Sequence, residues 1–106
     1  MNVNELGDAP SFGSLDDFPE LPREVTIDGA PYWLVRTSDQ DFLLLLNVCP
    51  HAGGEIRHAG DVLICPLHFW TFDPADGACL NFPGERLMRR EVVVRDRRLF
   101  VAGPLR

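Results

Sequence analysis

Two short segments of the sequence contain the residue types that hold metal ions. A Cys-Pro-His segment runs from Cys49 to His51, and a Cys-Pro-Leu-His segment runs from Cys65 to His68, with 13 residues between His51 and Cys65. A 2Fe-2S cluster with mixed ligation needs two thiolates on one iron and two imidazoles on the other. Two segments that each supply one of each can close over such a cluster from both sides. The proline after each cysteine stiffens the turn.

The same four side chains admit a second interpretation, since two cysteines and two histidines also form a closed tetrahedral zinc site. Zinc sites favour a Cys-x-x-Cys knuckle followed by a histidine pair, whereas here cysteine and histidine alternate within each segment. A chance meeting of core cysteines and surface histidines is disfavoured by the two matched spacings. The residues therefore favour the iron-sulfur cluster and leave zinc as the alternative.

Residues next to the four candidate ligands extend the pattern. The sequence resembles the Rieske ferredoxin family through Cys-Pro-His-Ala-Gly-Gly at 49–54 and Cys-Pro-Leu-His-Phe-Trp-Thr-Phe-Asp at 65–73. The likeness runs over about residues 24–102, and two matched ligand pairs are far more specific than one Cys-x-x-His.

The resemblance implies a fold and a cofactor. The expected fold is all-β, an antiparallel Rieske-type β-sandwich with a small cluster-binding subdomain at about residues 47–84. The expected cofactor is one Rieske-type 2Fe-2S cluster held by Cys49, His51, Cys65 and His68. The segment between the first histidine and the second cysteine is shorter here than is usual in the family. We expect the deletion to fall within residues 55–60, where it would thin the cover over the cluster without moving a ligand.

Neighbouring residues indicate the reduction potential, which for Rieske centres spans about -150 to +300 mV. The high-potential respiratory branch of the family links its two cluster loops by a disulfide at positions matching Gly54 and Leu67. It also donates hydrogen bonds to the cluster from a serine and a tyrosine, which match Trp70 and Phe72. None of these four residues can do the same, so the resemblance implies a low-potential centre of the oxygenase-associated ferredoxin branch.

Other residues near the ligands are given smaller roles. We expect Gly53 and Gly54 to allow a tight turn and to aim backbone N–H groups at sulfur. Phe69 and Trp70 follow the last ligand and should keep water off the irons, with contact to a partner as the alternative for both. The third cysteine and the third histidine lack metal-site spacing. We expect Cys79 to be a small buried hydrophobe and His58 to be a solvated loop residue.

Short strands separated by turn residues make up most of the chain. No helical period of 3.6 residues is sustained, so the pattern predicts one domain over residues 1–106 that begins with a loosely ordered arm at 1–21. Trp33, Phe72 and Phe82 are expected in the core. The predicted strands are 24–27, 32–36, 42–48, 62–64, 70–72, 79–82, 91–94 and 99–102, with turns at 28–29, 37–41, 74–77 and 83–84.

Composition excludes several classes of function. The net charge of -6 and the pI near 4.8 argue against nucleic acid or an anionic membrane as the main partner. No apolar run approaches the roughly 20 residues that cross a bilayer, and the amino terminus lacks an export signal. Three cysteines do not suggest a disulfide framework. A cytoplasmic monomer is therefore expected.

Three functions fit these observations. The first is a carrier that resembles the ferredoxin passing electrons from a flavin reductase to a ring-hydroxylating oxygenase, and it is not itself an enzyme. The second is a fixed small subunit of a reductase complex such as nitrite reductase, and the third is a structural zinc module. In the first two, electrons would leave through His51 and His68, with the partner docked near Ala52, Phe69 and Pro83.

Overall fold

The computed structural model describes residues 11–37, 41–51 and 53–106. Within these ranges the regular structure consists of nine strands and one turn of 3-10 helix at Leu15–Asp17. The strands are β1 Gly13–Ser14, β2 Arg23–Ile27, β3 Ala30–Arg36, β4 Phe42–Leu46, β5 Arg57–Ala59, β6 Val62–Cys65, β7 Trp70–Phe72, β8 Arg89–Arg95 and β9 Arg98–Ala102.

These strands form two antiparallel sheets. The larger sheet has six strands in the order β1-β9-β8-β4-β3-β2, and the smaller has three in the order β5-β6-β7. The all-β antiparallel fold expected from the sequence is confirmed. The smaller sheet lies inside residues 47–84, the range predicted for the cluster-binding subdomain, although that boundary stays a prediction.

Tight turns set the register of the larger sheet. Asp28 and Gly29 connect β2 to β3 with φ angles of 54° and 80°. Two positive φ values in a two-residue loop match the right-handed twist of the flanking strands, which is why Asp-Gly favours this turn. The predicted hairpin is confirmed, with Ile27 opposite Ala30. Asp96 and Arg97 connect β8 to β9 with similar φ angles of 50° and 65°.

Strands β3 and β4 are buried on both faces of the larger sheet. Residues 32–35 and 42–45 are all buried, so each strand is a continuous apolar run without polar alternation. One face contributes Trp33 and Leu45 to a core that also contains Cys49 and Cys65. The other face contributes Leu34 and further residues to a second core. The metal-site cysteines therefore belong to one of two cores that share the same central strands.

Residues 11–21 cover the second core. Phe12, Leu15 and Phe18 are partly buried against it, and β1 pairs with β9. The Leu15 N–H also donates to the carbonyl oxygen of Arg97 at 2.8 Å. The loose order expected for residues 1–21 is therefore not found in 11–21, because apolar side chains in this stretch close a core face. Residues 1–10 lie outside the described residues.

Other sequence predictions differ from the structure near the smaller sheet. Residues 79–82 form no strand; Cys79 makes only an isolated bridge to Phe72. Phe82, expected in the core, is 44% exposed, whereas Phe72 is buried as predicted. Strand β5 at Arg57–Ala59 was not predicted, because its residues are exposed and show no apolar pattern. In the described part of the chain, no helix is long and apolar enough to cross a membrane.

Candidate metal centre

The first candidate loop, residues 49–54, closes on itself through backbone hydrogen bonds. The Cys49 N–H donates to the Gly54 carbonyl oxygen, and the Gly53 N–H donates to the Cys49 carbonyl oxygen, both at 2.8 Å. Gly53 has a φ of 71°, which favours glycine. Because the Gly53 N–H is already bonded to Cys49, the expectation that it points at a cluster sulfur is wrong.

Two polar side chains fix the end of this loop in the core. The Asn47 Oδ1 accepts a hydrogen bond from the Ile56 N–H at 2.6 Å, and the Trp33 Nε1–H donates to the Ile56 carbonyl oxygen at 3.0 Å. All three residues are buried. Both backbone groups of Ile56 are thus satisfied away from water, as buried polar groups require. Asn47 was not predicted to have a role, and its one signal in the sequence is that it is a polar residue inside the predicted strand 42–48.

The second candidate loop, residues 66–69, connects β6 to β7. Cys65 is the last residue of β6 and lies opposite Trp70, the first residue of β7. The Phe69 N–H donates to the Cys65 carbonyl oxygen at 2.8 Å, and Phe69 has a φ of 61°. This left-handed residue, uncommon for a side chain other than glycine, turns the chain back directly after His68.

The two loops touch at Gly54. A Cβ atom built on Gly54 would lie 2.7 Å from the Leu67 Cδ1 and 3.1 Å from the Cys65 Sγ. Only glycine leaves room for the second loop to approach so closely. The positions at which the resemblance places an inter-loop disulfide in the high-potential branch, Gly54 and Leu67, are therefore neighbours here.

Burial separates the thiols from the imidazoles. Cys49 and Cys65 are 2% and 1% exposed, whereas His51 and His68 are exposed, with their ring centroids 4.8 Å apart. The four predicted ligands thus lie on two touching loops, with the cysteines buried in the core and the histidines at the surface.

An aromatic stack continues outward from the first histidine. The His51 ring lies parallel to Trp70, with 4.6 Å between centroids and 5° between planes. Trp70 in turn stacks on Phe82, at 4.4 Å and 23°. Trp70 also packs against the core that contains the cysteines. Trp70 therefore joins the buried and exposed sides of the site.

Two cysteines and two histidines are the donor set that a mixed-ligand 2Fe-2S cluster needs. Among the described residues, which include all four predicted ligands, no three Cys, His, Asp or Glu side chains are grouped to hold a metal ion. A mixed-ligand 2Fe-2S cluster needs only a pair of donors on each iron. The ligand assignment stays a prediction, and the geometry is consistent with it.

The remaining cysteine and histidine are not among the predicted ligands, although Cys79 belongs to the same core as Cys49 and Cys65. Cys79 is buried, as expected, and its thiol donates to the Asn81 Oδ1 at 3.2 Å. His58 is exposed, as expected, but it lies on β5 and makes a T-shaped contact with Trp33, with 6.1 Å between the ring centroids. The hydrogen bonds of Asn81 were not predicted, because the residue lies in an apolar stretch that predicted a strand. Ala52 lies outside the described residues.

Comparison with known proteins gives the same family from sequence and from fold. Residues 11–94 match the family model described as the Rieske 2Fe-2S domain. Cholesterol 7-desaturase from Drosophila melanogaster is 39% identical in an alignment of 55 positions, and the match covers 47% of this chain and 13% of that protein. The chain thus spans about a third or less of the length of the curated relatives that it matches.

Solved structures share the fold over nearly the whole chain. The plasma membrane Rieske protein PetC3 from Synechocystis PCC 6803 is 18% identical, with a TM-score of 0.72 and coverage of 89% of this chain and 99% of that chain. The ferredoxin of carbazole 1,9a-dioxygenase from Nocardioides aromaticivorans IC177 is 27% identical, with a TM-score of 0.65 and coverage of 91% and 98%.

Two further solved structures share the fold. A complex of reduced oxygenase and oxidized ferredoxin in carbazole 1,9a-dioxygenase contains a chain that is 27% identical, with a TM-score of 0.68 and coverage of 92% and 94%. A protein described as the small subunit of an NADH-dependent nitrite reductase from Mycobacterium tuberculosis is 24% identical, with a TM-score of 0.62 and coverage of 90% and 94%.

Proposed function

The chain belongs to the Rieske 2Fe-2S domain family, and from that premise we propose that it is a low-potential ferredoxin that delivers electrons from a reductase to an oxygenase. As a Rieske domain it is an electron-transfer module with one Rieske-type cluster. When bound, that cluster takes up and gives back single electrons. Cys49, His51, Cys65 and His68 are the residues proposed to hold it.

The observation that carries the proposal is the exposure of the two imidazoles beside two buried thiols. The buried cysteines keep the sulfur side of the site away from water, while His51 and His68 reach solvent. A redox centre whose ligands reach one surface can exchange electrons with a protein that docks there. The proposed exit therefore lies on the side of the two histidines.

The surroundings of the thiols support a low potential. Hydrogen bonds to cluster sulfurs raise the potential, and hydroxyl donors are absent at the two positions where the resemblance places them. Phe72 is fully buried and has no polar atom to offer, and the Trp70 ring is stacked between His51 and Phe82. The loop contact at Gly54 and Leu67 is held by packing without a disulfide.

Sequence similarity over nearly the whole chain supports the oxygenase ferredoxin, whereas a relative from Haloferax mediterranei described as the Rieske subunit of a respiratory nitrate reductase, 36% identical over 77 residues, supports the reductase subunit. The ferredoxin of carbazole 1,9a-dioxygenase is 27% identical with nearly complete coverage of both chains, and a related ferredoxin is found with its oxygenase. The nitrite reductase small subunit, at 24% identity, supports only the shared fold. A fixed reductase subunit is kept as the second candidate, because the nitrite reductase small subunit matches the chain over nearly the same length as the ferredoxin does.

Apolar side chains around the loops form the proposed docking face. Leu67, Phe69, Leu80 and Phe82 are exposed although they are large and hydrophobic. Exposed apolar groups near a redox centre suit a partner that binds briefly and releases. We expect Phe69→Ser and Pro83→Ser to slow reduction of an oxygenase while the cluster stays bound. Unchanged rates in both variants would place docking elsewhere.

The ligand assignment can be tested by substituting the proposed ligands. Cys79 and His58, which are not proposed ligands, serve as the matched controls. Cys65→Ala and His68→Ala should lose the cluster or change its EPR spectrum, whereas His58→Ala and Cys79→Ser, which keeps a hydrogen-bond donor to Asn81, should keep both. The measurements are iron and acid-labile sulfide content, visible absorption and EPR of the reduced protein. A colourless wild-type protein that binds zinc and no sulfide after anaerobic reconstitution would refute the cluster assignment.

The partner assignment is tested with purified electron donors and acceptors. The reconstituted protein should be reduced by a flavin-dependent ferredoxin reductase and then oxidised by a Rieske oxygenase, with a midpoint potential in the lower half of the family range. A stable complex with a large nitrite reductase subunit, together with no transfer to any oxygenase, would favour the second candidate. The cytoplasmic location and the monomeric state stay predictions, which fractionation and light scattering check.

A further inference from the structure

The side-chain amide of Asn81 is bonded to three groups at the base of the second loop. Its Oδ1 accepts hydrogen bonds from the Thr71 N–H at 3.1 Å and from the Cys79 thiol at 3.2 Å. Its Nδ2 donates to the Phe69 carbonyl oxygen at 3.0 Å. The amide is therefore bonded to the backbone on both sides of Trp70, although Asn81 is 12 residues after Phe69 in the sequence.

The backbone of Phe69 is strained, so hydrogen bonds are needed to stabilise its conformation. A φ of 61° lies in the left-handed region, where a side chain with a Cβ atom is disfavoured. Residues keep such conformations only where their surroundings hold them. Phe69 is 67% exposed, so core packing does not hold it. What remains is its N–H bonded to Cys65 and its carbonyl oxygen bonded to Asn81.

The orientation of the amide is also fixed. Oδ1 faces two donors, the Thr71 N–H and the Cys79 thiol, and Nδ2 faces one acceptor, the Phe69 carbonyl oxygen. Rotating the amide by half a turn would place two N–H donors against the donors of Thr71 and Cys79. Only one of the two orientations satisfies all three groups.

We propose that Asn81 is the positioning residue of the second ligand loop, holding the left-handed turn at Phe69 and thereby the direction in which His68 leaves the loop. The inference rests on the proposed ligand role of His68. None of the hydrogen bonds of Asn81 is to a proposed ligand. Asn81 would therefore act on His68 through the backbone of Phe69 and Thr71. The same hydrogen bonds keep Trp70, which lies between those two residues, in its stack with His51.

The first test removes the amide and follows the loop directly. In Asn81→Ala, the Thr71 N–H should exchange with solvent about five- to tenfold faster, because its bond to Oδ1 is lost. The cluster should be lost to an iron chelator faster by a similar factor, and the EPR spectrum of the reduced protein should broaden as the His68 geometry becomes heterogeneous. Asp76→Ala is the matched control, since it removes a side-chain acceptor from the Ala78 N–H at a turn outside the loop. It should leave exchange at Thr71 and the EPR spectrum unchanged.

The second test is a rescue. Glycine adopts a positive φ freely, so Phe69→Gly removes the strain that Asn81 is proposed to hold. In the double variant of Asn81→Ala with Phe69→Gly, cluster loss should return to within about twofold of Phe69→Gly alone. Wild-type EPR and chelation rates in Asn81→Ala, or no rescue by Phe69→Gly, would overturn the proposal. Failure of the wild-type chain to bind a cluster would instead refute the ligand assignment, so the two failures are distinguishable.

Discussion

Replacement of Gly54 by alanine tests how closely the two ligand loops must approach. The backbone of Gly54 is outside the left-handed region, so alanine is not disfavoured by the conformation of this residue. The effect of Gly54→Ala therefore comes from the contacts that its Cβ atom makes. Those contacts are with the Leu67 side chain and with the Cys65 sulfur.

The two contacts differ in how easily they can be relieved. The Cβ atom would lie 2.7 Å from the Leu67 Cδ1, well inside the separation of about 3.5 to 4.0 Å that carbon atoms prefer. Leu67 is 57% exposed and can turn toward solvent. The same Cβ atom would lie 3.1 Å from the Cys65 Sγ. Cys65 is buried in the core at the end of β6, so its sulfur cannot move away in the same manner. We expect the loops to separate by a few tenths of an ångström, at about 1 to 3 kcal/mol, as in overpacked cores.

Chemical denaturation and chelation of the reconstituted protein measure this effect. Gly54→Ala should lower the unfolding midpoint and speed cluster loss. Adding Leu67→Ala removes the leucine contact and should restore only part of the loss, because the contact with the Cys65 sulfur remains. Stability within about 0.5 kcal/mol of wild type, with an unchanged EPR spectrum, would refute the close approach inferred at Gly54.

Gly53 and Gly60 provide controls of a different kind. Their φ angles are 71° and 59°, and no atom lies within 4 Å of a Cβ built on either. Alanine at each should therefore cost about 1 to 2 kcal/mol through the backbone alone. Only Gly53→Ala, inside the first loop, should also change cluster retention; an equal effect of Gly60→Ala on retention would contradict the distinction.

Three further predictions concern the residues that support the first loop and the aromatic stack. Asn47→Ala should destabilise the protein by about 1 to 3 kcal/mol, since it leaves the buried Ile56 N–H without its acceptor; a midpoint equal to wild type in thermal unfolding would contradict this. Trp70→Ala should broaden the EPR spectrum by freeing the His51 ring, and Trp70→Phe should restore most of the wild-type line shape. Phe82→Ala should lower stability by no more than about 1.5 kcal/mol, because the ring is partly exposed and loses mainly one stacked contact; a larger loss in urea unfolding would mean that Phe82 is part of the core.

Much of the larger sheet and the predicted ligand loops follow from local sequence. Asp28 and Gly29 have the φ angles that their hairpin requires, and this requirement can be seen in two residues. The matched Cys-Pro-His and Cys-Pro-Leu-His segments likewise predicted two loops, and the structure brings them into contact at Gly54. In both cases the information lies within a few neighbouring residues.

Features that depend on distant contacts were not predictable in this way. Residues 79–82 look like a strand because three of the four are apolar, but Asn81 uses its side chain to bond the backbone of Phe69 and Thr71. Phe82 is held by Trp70 at the surface and not in the core. The burial of Phe12 depends on a core face formed by the central strands. None of these partners is near in sequence, so no local pattern reports them.

The positions of the two tryptophans should make intrinsic fluorescence a measure of cluster loading. Trp70 stacks on His51, and Trp33 belongs to the core that contains Cys49 and Cys65, so both indoles are close to the candidate centre. Because the chain contains two tryptophans in total, nearly all of its indole emission arises beside that centre. Fluorescence should be strongly quenched in the loaded protein and should recover as iron is removed. Trp33→Phe would assign the recovery to Trp70, which gives a label-free record of loading and loss in real time.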